Sequence, residues 1–301
     1  MDNDQMNEFG LSWAQRRVQA FHEAAGHPVA AHPRPLGPDR LKHRVAWMQE
    51  ELEELAAAAT LVDQTDAVID LMYFALGTLV EMGIDGEGPF QIVHQANLRK
   101  VTSSGITSRE HDGKIQKPAG WVTPEYEIAS SIVSSYSPFV LVRAEESESC
   151  AAVLEMVSRS LGAADWTKGR YHQALPPLIN PKESLGIPLD TVEPFLLAAN
   201  APLREEFIPI EQMSEATFAD AIAESLAEFP STFAAFQPGE VYRSQKSPIR
   251  YALIFKLIGD TVHLVDPDEK NPGLHSVHVD DLFAGVKAAQ DGLHRVDRRK
   301  E

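Results

Sequence analysis

The sequence predicts two domains of different class: an all-α, four-helix-bundle-like unit over residues 1–128 and an α+β unit over residues 129–301. Three observations predict this. The 301-residue chain exceeds the roughly 100–200 residues of a single domain. From Leu41 to Gly83 apolar residues recur with helical period. After about Glu127 strand-like runs begin to alternate with helical segments.

In chain order, "NEFGLSWAQRRVQAFHEAAG" reads as a helix with Phe9, Trp13, Val18 and Phe21 as a loose apolar stripe, followed by the Pro-rich connection "HPVAAHPRPLGPDR". Asp39 is the expected N-cap of a helix through "LKHRVAWMQEELEELAAAA", ending about Ala59. A second helix is expected from about Asp63 to Gly83, and the short break at "TLVD" makes the two antiparallel neighbours. "GPFQIVHQANLRKV" is a further helix, and the polar stretch from Thr102 to Glu127 reads as an ordered tail rich in Gly, Lys and Pro.

In the second half "SPFVLVRA" is strand-like and "ESCAAVLEMVSRSLG" is helical. A long Pro-interrupted stretch follows, then a helix at "SEATFADAIAESLAEF", strands at "RYALIFKLIG" and "TVHLVDPD", and a closing helix near "VDDLFAGVKAAQDGL".

Bulk properties exclude several function classes. The net charge of −17 argues against binding nucleic acid or anionic membranes, which needs Lys and Arg to neutralise phosphates. No apolar run approaches the roughly 20 residues of a membrane span. The acidic start "MDNDQMNEFG" shows no signal peptide, and the single cysteine, Cys150, agrees with a reducing compartment, so the expected location is cytoplasmic.

The segment "EELEELAAAATLVDQTDAVID" concentrates seven carboxylates, Glu50 to Asp70, with no Lys or Arg between Arg44 and Arg99. Helical spacing stacks Glu50 on Glu54, sets Glu51 beside them, and puts Asp63, Asp66 and Asp70 on one face of the next helix. Glu53 points about 100° away from Glu54, as a solvated charge would. Two acidic stripes facing one gap repel unless a cation lies between them, and hard oxygen ligands suit Mg²⁺ or Mn²⁺. A solvated acidic face is the alternative reading.

The Glu50-Glu51-x-x-Glu54 group followed by "DQTDAVIDLMYFALGT" resembles the signature of the all-α nucleoside triphosphate pyrophosphohydrolases. This is the MazG-type superfamily that includes dimeric dUTPases and phosphoribosyl-ATP pyrophosphohydrolase. "VQAFHEAAGHPVAAHP", "GID" at 83–85, "VHQANLRK" at 93–100 and "DGKIQKPAGW" at 112–121 extend the likeness over about residues 15–128. It implies that Glu50, Glu51, Glu54 and Asp70 hold Mg²⁺. Ala67 stands where the family's second motif has Glu, and Asp66, or Asp63 with Asp66, is the candidate replacement. The resemblance further implies that Asn97 and Lys100 contact substrate, that Lys114 and Lys117 close over phosphates, and that the chain is a homo-oligomer, a dimer or tetramer.

Glu50 or Glu51 is then the group that orients or deprotonates the attacking water. Phe21, His22, Trp47 and Tyr73 are candidates to border a nucleobase, or else core packing; His22 and His94 have no second histidine at ligand spacing.

The second half resembles, in patches over about residues 138–290, a papain-like cysteine peptidase domain of the bacteriocin-processing type, with Cys150 at a helix start where the dipole lowers a thiol pKa. It departs from that pattern at Arg250, where a histidine is expected, and in "VRAEESESC", which has no oxyanion glutamine. The sequence therefore points to Mg²⁺-dependent hydrolysis of a nucleoside triphosphate to monophosphate and pyrophosphate, with a degenerate C-terminal domain. A cysteine peptidase or amide hydrolase using Cys150, and a nucleotide-sensing module of weak turnover, are the alternatives.

Overall fold

The computed structural model describes residues 10–102, 105–106, 113–145, 148–174, 192–243 and 248–299. The chain divides into two units, Met1–Ser131 and Ile132–Glu301. Phe9, expected in the first apolar stripe, and residues 175–191 of the long Pro-interrupted stretch lie outside the described residues.

The first unit opens with α1 (Leu11–Ala25), which buries Val18 and His22. Helix α2 (Pro38–Ala57) starts two residues earlier than expected, because Pro38 supplies the fixed φ of a first helical turn. Gly37 is therefore its N-cap, and Asp39 lies inside the first turn, where its charge complements the helix dipole. Helix α3 (Leu61–Met82) is capped by Thr60, whose hydroxyl accepts from the Asp63 amide at 3.1 Å. It stops at Gly83, φ 68°, where any Cβ would lie 2.5 Å from the His32 carbonyl oxygen.

α2 and α3 pack along each other, and α1 packs on α3. Helix α4 (Glu87–Leu98) leads into a two-residue hairpin, β1 (Val101–Thr102) and β2 (Gly105–Ile106). The polar stretch after it becomes helical at α5 (Glu125–Tyr136), which the tail reading did not anticipate.

The second unit is built on a six-stranded antiparallel sheet of order β3-β8-β4-β5-β6-β7. Its strands are β3 (Leu203–Pro209), β4 (Ser231–Phe236), β5 (Arg250–Ile258), β6 (Thr261–Asp266), β7 (Gly273–His278) and β8 (Gly292–Arg298). Helices α6 (Ser149–Ser160), α7 (Lys168–Ala174), α8 (Val192–Ala198), α9 (Glu215–Glu228), α10 (Pro238–Tyr242) and α11 (Val279–Ala289) complete it.

Ala234, Phe236, Ala252, Ile254 and Leu264 form one face and pack with Phe218 and Ile222 of α9 and Leu282 and Val286 of α11. The alternate residues Phe233, Tyr251, Leu253 and Val265 are buried too, and α6 packs on β5. Burial on both faces explains why every residue of β4 is inaccessible. The unit is α+β as expected, but "SPFVLVRA" is not a sheet strand: only Ala144 bridges, to Asp268. No described helix is long and apolar enough to cross a membrane.

Among the ionic groups that the sheet encloses is one centred on a histidine. His294 of β8 is fully buried against Phe233, with ring centroids 4.5 Å apart. Its Nδ1 meets Glu205 of β3, and its Nε2 lies 2.9 Å from Asp291 Oδ1. Burial opposes the imidazolium, but Asp291 and Glu205 outweigh it and raise the pKa from 6.5 to about 9. The linkage follows from the sign: stability from this charge is complete below pH 6.5 and is lost as pH rises through 9. Thermal melts of the C-terminal unit across that range should show a falling midpoint, and His294→Asn should flatten the slope.

Candidate functional site

Repulsion between the acidic stripes is the feature from which the site is built. Glu50, Glu51 and Glu54 lie on α2, and Asp66 and Asp70 on α3. Glu51 is half-buried, and its Oε2 is withdrawn from solvent with no hydrogen-bond partner. Its pKa is raised, first by desolvation and then by Glu54, Asp70, Glu50 and Asp66, so those four carboxylates surround it.

Asp63 is not among the groups acting on Glu51; it occupies the first turn of α3. Glu53 is exposed and accepts from Gln49 at 3.5 Å, as a solvated charge. Ala67 is buried, so the position that departs from the second motif is packed rather than presented. Among the described residues no three His, Cys, Asp or Glu side chains converge closely enough to hold a metal ion as they stand. The orphaned Glu51 oxygen, a hard donor among four other carboxylates, nonetheless fits a divalent cation.

About two turns back along α2 and three turns on along α3 the chemistry changes sign. Arg44 of α2 is 2% exposed and Glu81 of α3 is 1% exposed. Arg40 binds Glu81 through two contacts of 2.6 Å, while Arg44 reaches Glu81 at 3.4 Å, Thr78 Oγ1 at 3.0 Å and the Phe74 carbonyl. Burial alone would raise the Glu81 pKa, but Arg40, Arg44 and His22 together hold it below the ordinary value. His22 donates from Nδ1 to the Pro28 carbonyl at 3.0 Å. Gly77 makes room for this cluster: a Cβ there would lie 2.6 Å from Arg44 Nη2 and 2.8 Å from His22 Nε2.

Above the cluster opens a pocket of about 260 Å³ lined by Phe21, His22, His27, Arg44, Trp47, Tyr73 and Phe74. Trp47 stands one turn before Glu51, and Phe74 one turn after Asp70, so pocket and carboxylates share one groove between α2 and α3. The four aromatic candidates named from the sequence all line it; His27, Phe74 and Arg44 were missed. The signal available for Arg44 was its i, i+4 spacing from Arg40, one turn before Trp47.

Residues 18–97 match the phosphoribosyl-ATP pyrophosphohydrolase family. That span contains all five carboxylates, the pocket residues and Asn97, and it points to a hydrolase acting on a nucleotide phosphoanhydride. The phosphoribosyl-ATP pyrophosphohydrolase match stops before Lys100, Lys114 and Lys117, and it does not reach the C-terminal unit. No curated protein matches this chain.

At the end of the matched span, Asn97 is joined to Lys100, just beyond it, by a 2.7 Å hydrogen bond, and both Lys100 and Lys117 lie over Trp121. Lys114 is exposed.

The C-terminal candidate fares differently. Cys150 is 6% exposed. Burial, then Glu205 and Asp291, push its thiol pKa well up, the reverse of the dipole effect expected from its position. Arg250, at the position expected for a catalytic histidine, lies 3.7 Å from Asp266 and 3.4 Å from Asp268 as an ion pair. No thiolate–base pair is present among these groups, so the papain-like resemblance gains no support from the site.

On an open helix Gly→Ala stabilises by up to about 1 kcal/mol. Gly77→Ala should instead destabilise the N-terminal unit by about 1–3 kcal/mol, read as a lower urea midpoint.

Proposed function

We propose that this protein hydrolyses a nucleoside triphosphate at the α-phosphorus, releasing a nucleoside monophosphate and pyrophosphate. The observation that carries the reading is the groove itself: an aromatic pocket one helical turn from a carboxylate cluster whose central oxygen lacks a partner. The family match over the same residues supports it.

Glu50, Glu51, Glu54, Asp66 and Asp70 would hold Mg²⁺, or Mn²⁺ in its place. When bound, the cation neutralises phosphate charge and lowers the pKa of the attacking water. Phe21, Trp47 and Tyr73 border the base, with His22 and Arg44 at the pocket floor. The water oxygen bonds to the α-phosphorus as the bond from that phosphorus to the bridging oxygen breaks, and Glu50 or Glu51 takes the water proton. Lys100, Lys114 and Lys117 counter charge on the departing pyrophosphate, and Asn97 contacts the substrate beside Lys100.

With Mg²⁺ and a panel of NTPs and dNTPs, pyrophosphate release should be abolished by chelation. It should fall about 10²–10⁴-fold in Glu51→Gln and stay unchanged in Cys150→Ala. Tight nucleotide binding without pyrophosphate release would sink this reading and leave the sensor reading, which the packed Ala67 favours.

The same reading includes a homo-oligomer. Along α3, Leu61 is 80% exposed, and Val62, Val68, Ile69 and Met72 are also exposed, an apolar stripe that one copy leaves uncovered. Sedimentation equilibrium should return a dimer or tetramer, and Ile69→Glu with Met72→Glu should shift it to monomer; a wild-type monomer would overturn the assignment.

A further inference from the structure

Trp121 lies outside the family match and was given no role by its sequence pattern. Its indole is held by one hydrogen bond, its backbone by another, and an ion pair close by in the chain ties the two flanking helices together. Nε1–H donates to the Ala96 carbonyl in the last turn of α4 at 3.0 Å. Its own amide donates to the Pro118 carbonyl at 3.0 Å, closing a tight turn through Gly120. A further pair, Arg99 with Glu127 at 3.1 Å, ties the end of α4 to the start of α5 on the far side of the same segment.

On this anchored ring stand two cations from different parts of the chain. Lys100 Nζ lies 5.3 Å from the ring centroid and Lys117 Nζ lies 4.7 Å from it. Lys100 also donates to a neutral acceptor, Asn97 Oδ1. Glu125 stands near Lys117, though its carboxyl is held below the usual range mainly by the Thr123 hydroxyl and its own backbone amide. Two ammonium groups on one indole repel each other, and a lysine chain free in solvent would move away from such a neighbour. The π face offsets part of that repulsion and keeps both charges at one place.

We propose that Trp121 is the positioning residue that sets Lys100 and Lys117 as a pair for one polyphosphate; this rests on the pyrophosphohydrolase reading above. Its effect is to remove rotamer freedom from both lysines before the anion arrives, so that less ordering is needed on binding. Asn97 extends the same arrangement from α4. Trp121 does not touch the reacting atoms in this role; it acts through the two lysines.

The test is calorimetric titration of inorganic pyrophosphate, with Mg²⁺, into the full chain, so that its outcome does not depend on turnover. Trp121→Leu should weaken pyrophosphate binding about ten-fold, whereas Trp121→Phe, which keeps a π face and loses only the Nε1 hydrogen bond, should stay within about two- to three-fold of wild type. In a Lys117→Met background the loss from Trp121→Leu should shrink, because one of the two cations it holds is gone.

In turnover assays the same Leu variant should raise KM for the triphosphate and also lower kcat, because the two lysines it misplaces counter charge on the departing pyrophosphate, and Trp121→Phe should restore both. A Leu variant that folds and binds pyrophosphate like wild type overturns the proposal, as does a wild-type protein that does not bind pyrophosphate. So does a Phe variant as impaired as Leu, because the effect would then come from the Nε1 bond. Wild-type pyrophosphate binding that Trp121 controls, without hydrolysis of any triphosphate, would instead overturn the pyrophosphohydrolase reading and leave this one standing.

Discussion

The Glu81 carboxylate, enclosed by Arg40, Arg44 and His22, is the constraint on which the N-terminal site depends. At one end of the α2–α3 pair five carboxylates push the helices apart; at the other, buried opposite charges pull them together. A buried ion pair adds little net stability because desolvation offsets most of the Coulombic gain, but breaking one leaves a costly unpaired charge. Its main effect here is on register. Arg44 reaches the Phe74 carbonyl and the Thr78 hydroxyl as well as Glu81, so sliding α2 along α3 by one turn would lose all three partners. The aromatic pocket and the acidic group keep their one-turn spacing through that lock.

Much of this unit is legible in the sequence because it is local. The α2 and α3 periodicities and the terminal Gly83 are each set by residues within a few positions, whereas the Thr60 cap falls in the stretch read as a break between the helices. What was not legible depends on tertiary contacts. Nothing local tells that Gly77 faces a guanidinium, or that Trp121 meets two lysines separated by 17 positions in the chain.

In the second unit β5 and β6 were readable because both faces are buried and the runs are apolar. Strand β3, "LREEFIP", was not, because it lies at the sheet edge and carries an Arg and two Glu, one of which turns inward only to meet His294. The reverse error at "SPFVLVRA" has the same origin: a strand-like composition without a neighbouring strand remains a single bridge at Ala144. Burial also reverses the expectation for Cys150, since helix position alone says nothing about the dielectric around a thiol.

The unpartnered Glu51 oxygen has a thermodynamic consequence. A site that is repulsive when empty makes the folded helix pair a better cation host than the unfolded chain, in which the same carboxylates are far apart. If the proposed cation binds there, each tenfold rise in its free concentration above the dissociation constant would add about 1.4 kcal/mol to the stability of the N-terminal unit. The unit's melting temperature would then be a function of divalent-ion concentration, and under the proposed function ion availability would set how much of the unit is folded as well as how fast it turns over.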